Sequence, residues 1–148
     1  MSSLRLLVCA DTSRAAIEAA RLSLRLAEEH GAEVRVVSVV EDGEATRRLD
    51  ADEQRHSTAA ERFEQSVRAM LERITAMGAD RGIDVSTSVL RGEPVRSILR
   101  DADAWQPDLL LIGRTGRSGP GSPMVGSLAM HVVEFATCPV VVVPEPAP

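Results

Sequence analysis

A chain of 148 residues is one domain's worth of sequence, long enough to bury a single core without disulfide or metal staples. With 44% hydrophobic and 26% charged residues it has an ordinary globular composition, and no apolar run reaches the roughly 18 residues of a membrane span. Its net charge of −5 argues against nucleic-acid binding by phosphate neutralisation, and the absence of Lys removes Schiff-base chemistry, Ser–Lys dyads and the lysine of a phosphate loop.

In chain order, residues 4–10 (LRLLVCA) predict a short, mostly apolar strand. Residues 12–30 predict a helix. Ile17, Ala20, Leu24 and Ala27 recur at helical spacing, and Gly31 stands where a C-terminal cap belongs. Residues 34–40 (VRVVSVV) are a second strand, rich in β-branched side chains. Residues 41–52 are polar and irregular and read as a loop. Residues 53–80 predict the longest helix, with Phe63, Val67, Met70, Leu71, Ile74 and Met77 in one stripe and a solvated Arg/Glu face opposite.

Residues 83–90 (IDVSTSVL) alternate and predict a third strand. Pro94 suits the first turn of the next helix, which carries Val95, Ile98, Leu99 and Ala102 on one face. Residues 108–112 (DLLLI) form a buried strand after Pro107. A Gly-rich stretch, 113–126, leads to a helix beginning at Ser127, with Leu128, Val132, Phe135 and Ala136 expected inward. Val140–Val143 is a last strand before the Pro-rich tail at 144–148.

The order β-α-β-α-β-α-β-α-β means an α/β domain whose right-handed crossovers build a parallel sheet covered on both faces. Ligands in such folds bind beyond the carboxyl ends of the strands, where the strand order reverses. The segments after strands one, two and four are therefore the ones that carry chemistry.

The informative segment is 113–127, GRTGRSGPGSPMVGS, with five glycines between a buried strand and a helix. Glycine lets backbone N–H groups approach a ligand, and the start of the following helix favours an anion. Spacing alone leaves phosphate binding and a plain connecting loop both open. Known phosphate motifs fail here. Residues 121–127 have the G-x-x-x-x-G spacing of a P-loop, but Ser127 stands where Lys is required. The first strand–helix junction has no glycine, so the dinucleotide fingerprint is missing, and no G-x-S-x-G elbow occurs.

The spacing Gly113-x2-Gly116-x9-Gly126-Ser127 resembles the ATP-binding motif of the universal stress protein family, G-2x-G-9x-G-[S/T]. The opening LRLLVCADTS is similar to that family's first strand ending in Asp, and ATCPVVVV (136–143) is similar to its last helix turn and final strand. The resemblance covers almost the whole chain. It implies an open five-stranded parallel sheet of order 3-2-1-4-5, in one domain over 1–148, that binds ATP with Mg²⁺ carried by the phosphates. It implies that Gly113 and Gly116 wrap the ribose and phosphates, and that Gly126 and Ser127 hold phosphates at the helix start. Ala10 and Asp11 would line the pocket near the ribose. Val39 would meet adenine through its backbone, and Arg114 and Arg117 would supply charge. It further implies a homodimer formed through Val140–Val143, an exposed edge that needs covering. Ala129 departs from the family's frequent Ser or Thr, and Pro120 and Pro123 stiffen the spacer.

Plainer roles stand beside these. Asp11 is a good helix cap as well as a ligand contact. His30 ends a helix where a cation is favoured, and His56 lies in a polar segment. His131 sits near the last helix start, and nothing places it with Ser127 and Asp11 as a triad. Cys9 and Cys138 read as core thiols of a reducing compartment, and no His/Cys/Asp/Glu grouping has metal-ligand spacing. The short apolar run at the start is broken at once by Asp11, unlike a signal peptide, so the expected location is the cytoplasm. Three readings follow: an ATP-binding stress or regulatory switch, a slow ATPase or phosphotransferase on the same site, and a nucleotide-free dimeric interaction protein.

Overall fold

The computed structural model describes residues 3–41, 50–115 and 125–146. The elements run β1 (Leu4–Cys9), α1 (Arg14–His30), β2 (Ala32–Val40), α2 (Asp50–Ala79), β3 (Val85–Arg91), α3 (Pro94–Trp105), β4 (Leu109–Gly113), α4 (Ser127–Phe135) and β5 (Val140–Val143). The five strands form one parallel sheet in the order β3-β2-β1-β4-β5, as the resemblance implied.

Alternation along the strands sorts the core into two layers. On one face Leu6 and Val8 of β1, Val34 and Val36 of β2 and Leu111 of β4 pack against α1 and α2. On the other, Leu7 and Cys9, Val37, Leu110 and Ile112 pack against α3 and α4. Strands buried on both faces read as near-continuous apolar runs, which is why LRLLVC, VRVVSVV and LLLI carry so few polar residues. The inward face of α1 is built from Ala15, Ala16, Ala19 and Ala20, so this helix lies close to the sheet.

Hydrogen bonding decides the element ends that side-chain pattern missed. Helix α1 begins at Arg14, not at residue 12, because Ser13 is its cap: Ser13 Oγ accepts from the Ala16 amide at 3.1 Å. β2 starts at Ala32, two residues early, where Ala32 and Glu33 pair with Leu4 and Arg5 in register. β3 starts two residues late, at Val85, and extends to Arg91, paired with Val40. β4 starts at Leu109, since Asp108 turns its carboxylate onto the Arg5 amide at 2.8 Å instead. Helix α2 begins at Asp50, inside the expected loop.

One core expectation is corrected. Phe135 is 57% exposed, and Ala129, with Val132, is buried in its place. Ala129, Val132 and Ala136 set the inward direction of α4, and Phe135 falls about 120° around the helix from Ala129. Across the second layer, Arg35 of β2 holds Asp101 of α3 with two parallel bonds of 3.0 and 2.7 Å, fixing that helix to the sheet.

Candidate functional site

Helix α1 leaves β1 on one face of the sheet and α4 leaves β4 on the other, so the chain opens a crevice between the ends of these neighbouring strands. A cavity of about 500 Å³ occupies this place. Six of the nine expected site residues line it: Ala10, Asp11, Val39, Gly113, Gly126 and Ser127. The side chain of Arg114 is not on the wall. Gly116 and Arg117 lie outside the described residues, as do Pro120 and Pro123.

Three helices begin at this rim, and their starts differ. At α1, Asp11 Oδ1 accepts from the Ser13 amide at 2.8 Å and Ser13 Oγ accepts from Ala16, so that end is closed from within. Asp11 is thus a turn-former beside the cap rather than the cap itself. At α3, the Glu93 carboxylate accepts from the amides of Val95 and Arg96 at 3.0 and 2.8 Å. Those backbone donors, with the charges of Arg96 and His131, hold the Glu93 carboxyl below its ordinary value. Helix α4 has Gly126 as its N-cap and no side-chain cap bond. A carboxylate therefore already answers the amides at two of the three starts. The third leaves its first-turn amides facing the cavity rim, where an anion is stabilised.

Backbone bonds place that start. The Arg114 amide donates to the Val143 carbonyl at 2.7 Å, and the Arg114 carbonyl accepts from the Gly126 amide at 2.7 Å. Arg114 makes both bonds through its main chain, and its Nε is buried with no hydrogen-bond partner among the described residues. Its neighbour Gly113 is a packing glycine as well as a wall residue. A Cβ there would lie 2.8 Å from Ala15 Cβ and 2.9 Å from both Ala15 C and Ala16 N. Only glycine lets β4 end against the first turn of α1.

The opposite end of the cavity is lined by Val37, Val39 and Val40, with Ser38 and Glu41 beside them. The Ala10 amide donates to the Val37 carbonyl at 2.9 Å, the last bond between β1 and β2. The Val40 carbonyl accepts from Gly92, on the β3 side. Backbone groups alternate sides along a strand, so those of Val39 face the β1 side, beyond the point where β1 has ended. They form a short donor–acceptor edge at the cavity. Ala60 and Phe63 of α2 close the wall opposite.

The other wall residues were not assigned to the site from sequence, Phe63 and Thr115 among them. Phe63 belongs to the core stripe of α2, yet it also lines the cavity because α2 starts at the carboxyl end of the sheet. Thr115 lines it too. Its position inside the Gly-rich motif was the available signal.

The wall offers little for covalent chemistry. Cys9 lines the cavity, but burial, with the charge of Asp101 and the proximity of Cys138, pushes its thiol far up, so it is held unionised. His131 is exposed on α4 and is not a wall residue. Among the described residues no group of three or more His, Cys, Asp or Glu could hold a metal ion, and no helix is long and apolar enough to cross a membrane.

An open parallel α/β sheet with a cleft at its switch point, a helix start free of side-chain capping beside it and no glycine at the first junction defines a doubly wound protein of the non-Rossmann kind. Residues 3–144 match the model of the universal stress protein family, and the chain belongs to that family. It is 30% identical over 142 residues to the universal stress protein MJ0531 of Methanocaldococcus jannaschii, covering 96% of this chain and 82% of that one. The structure of the universal stress protein UspA from Lactobacillus plantarum superposes with a TM-score of 0.83 at 25% identity, over 97% of this chain and 99% of that one. The universal stress protein of Archaeoglobus fulgidus in complex with dAMP has the same fold, with a TM-score of 0.67 at 21% identity over 97% and 99% of the chains. So does an Arabidopsis thaliana family member with AMP bound, with a TM-score of 0.70 at 17% identity over 97% and 93%. A universal stress protein in complex with cAMP has a TM-score of 0.69 at 19% identity over 99% and 100%.

Proposed function

We propose that this chain binds an adenine nucleotide, ATP with its Mg²⁺, in the cleft between β1 and β4, and acts as a nucleotide-dependent regulatory switch in the stress response. The observation that carries the reading is the start of α4. Among the three helix starts at this rim it is the one without a side-chain cap, and it faces a cavity whose far end is lined by Val37, Val39, Val40 and Phe63. Phosphates take the amides of Ser127 and Leu128 and the hydroxyl of Ser127. The ribose hydroxyls take Asp11, whose carboxylate repels phosphate. Adenine lies between Val39 and Phe63, with the Val39 backbone meeting its polar edge. Mg²⁺ rides on the phosphate oxygens.

The bound dAMP, AMP and cAMP of three relatives support this class of ligand. The departure at position 129 does not touch the wall, because Ala129 is buried in the α3–α4 layer. The switch output would be conformational: phosphates at the start of α4 order the segment between Gly113 and Gly126, and a partner reads the altered surface. A homodimer through β5 fits its terminal place in the sheet and the exposed Met130, Val133 and Phe135 on the neighbouring helix. Such a protein would work in the cytoplasm, as a single domain.

The test is nucleotide release from denatured, freshly purified protein, read by mass, followed by calorimetry with ATP, ADP and AMP. Released adenine nucleotide and saturable ATP binding without accumulation of ADP are expected. Steady ADP production would replace the switch by a slow ATPase. No binding at millimolar ATP would leave a nucleotide-free interaction protein.

A further inference from the structure

We infer that Ser38 is a specificity-determining residue for the base: its hydroxyl donates to a ring nitrogen of the purine, and its small size opens the slot that the ring enters; this rests on the nucleotide reading above. Alternate residues of β2 share a face of the sheet. Val34 and Val36 lie in the core layer against α1 and α2, and the same alternation puts Ser38 and then Val40 in that row. Ser38 is its polar member and is only 3% exposed. Its Oγ makes no hydrogen bond among the described residues, yet it is not sealed from solvent as Thr115 Oγ1 is, and Ser38 lines the cavity. A buried hydroxyl without a partner carries a desolvation cost, and valine, favoured in strands, would continue the row without it. The hydroxyl therefore answers to something that occupies the cavity.

Its neighbours say what that is. Cys9 pairs with Val37 in register and the Ala10 amide donates to the Val37 carbonyl, so Ala10 lies beside Ser38 across the two strands. Ala10 and Ala16 belong to the same core layer, and both line the cavity with Ser38. These three short side chains make a floor. Phe63 of α2 packs against the same layer and lines the cavity as well. Small residues facing an aromatic side chain leave a slot suited to a flat ring. In a nucleotide whose ribose meets Asp11, one residue after Ala10, and whose base meets the Val39 backbone, one residue after Ser38, the base runs past Ser38. An amide and a carbonyl together match the N1 acceptor and N6 donor of adenine, which leaves N3 and N7 as its remaining ring acceptors. Neither carries a hydrogen, and a serine hydroxyl supplies the matching donor.

The experiment compares wild type, Ser38→Ala and Ser38→Val by calorimetry with AMP, 3-deaza-AMP and 7-deaza-AMP, in which a C–H replaces one ring nitrogen. Ser38→Ala should weaken AMP by about 5- to 10-fold, as for loss of one hydrogen bond. One of the two analogues should bind wild type more weakly than AMP by a similar factor, yet match AMP within about twofold in Ser38→Ala, because the bond it lacks is already gone. Ser38→Val refills the slot, so it should lose more AMP affinity than Ser38→Ala while its ligand-free form melts at or above wild type. Unchanged AMP affinity in Ser38→Ala would overturn the assignment. So would analogues that lose as much against Ser38→Ala as against wild type, a Ser38→Val protein that binds AMP as well as Ser38→Ala, or a lower melting temperature in ligand-free Ser38→Val. A wild-type protein that does not bind AMP would instead bring down the nucleotide reading itself, and this assignment with it.

Discussion

The amide of Gly126 donates to the carbonyl of Arg114 over 2.7 Å, joining the residue after β4 to the N-cap of α4. Because the Arg114 amide is bound in turn to Val143, this one residue ties the end of β4 to the end of β5 and to the N-cap of α4. The start of α4 therefore stands at a fixed place beside the cleft.

Gly126→Pro tests that tie. Gly126 has φ −66° and ψ 159°, which proline adopts without strain, so the substitution deletes the donor and keeps the local backbone. The Arg114 carbonyl is left facing a ring carbon. Stability should fall by about 1–2 kcal/mol in chemical denaturation, with a larger proportional loss of nucleotide affinity as α4 shifts. Unchanged values of both would mean that the bond holds nothing.

Gly113→Ala should be costly for a reason unrelated to ligand contact. The new methyl meets Ala15 C and Ala16 N at 2.9 Å, and these are backbone atoms of a helix that cannot swing aside. Overpacking of this kind typically costs about 1–3 kcal/mol. Equilibrium unfolding in urea measures it. A variant as stable as wild type would show that β4 and α1 can part cheaply.

How much of this was legible beforehand depended on the physics behind each signal. The alternation of apolar runs and amphipathic stretches sufficed for a parallel sheet, because two-faced burial imposes its pattern directly on the strands. The starts of β2 and β3 did not show, because Ala32 and Glu33 join the ladder through backbone pairing with β1 and not through their side chains. In the cleft, motif spacing marked Gly113, Gly126 and Ser127, yet it could not reveal that Gly113 is demanded by Ala15, a residue far away in sequence. Arg114 read as a charge donor, and spacing could not reveal that its main chain also ties Val143 to Gly126. Thr115 was not singled out at all, since burial of a hydroxyl has no signature in sequence.

Acid should loosen α3 through Glu93. Its carboxyl lies below the ordinary value of 4.5 in the folded protein, because the amides of Arg96 and Val95 donate to the ionised form. The folded carboxyl gives up its proton more readily than the unfolded one, so this contribution is fully present above about pH 4.5 and fades as pH falls through the folded value. Glu93→Gln keeps an acceptor but removes the titration. The stability of wild type should decline more steeply than that of Glu93→Gln as pH drops below 4.5. Parallel curves from urea unfolding across that range would remove Glu93 from the account.

The proposed dimer can be tested without breaking the pairing of β5 with β4. At the two ends of β5 the carbonyls of Pro139, just before it, and Val143 accept from Leu110 of β4 and Arg114, just after β4. Alternation then turns the backbone groups of Val140 and Val142 to the free edge. Val142→Pro deletes one outward amide and spares the pairing with β4, and proline is tolerated on an edge strand when its missing N–H faces outward. If protomers join strand to strand, this variant should sediment as a monomer at concentrations where wild type is dimeric, with its far-UV circular dichroism unchanged. If it stays dimeric, association runs through another surface, and the exposed Met130, Val133 and Phe135 of α4 become the place to substitute next.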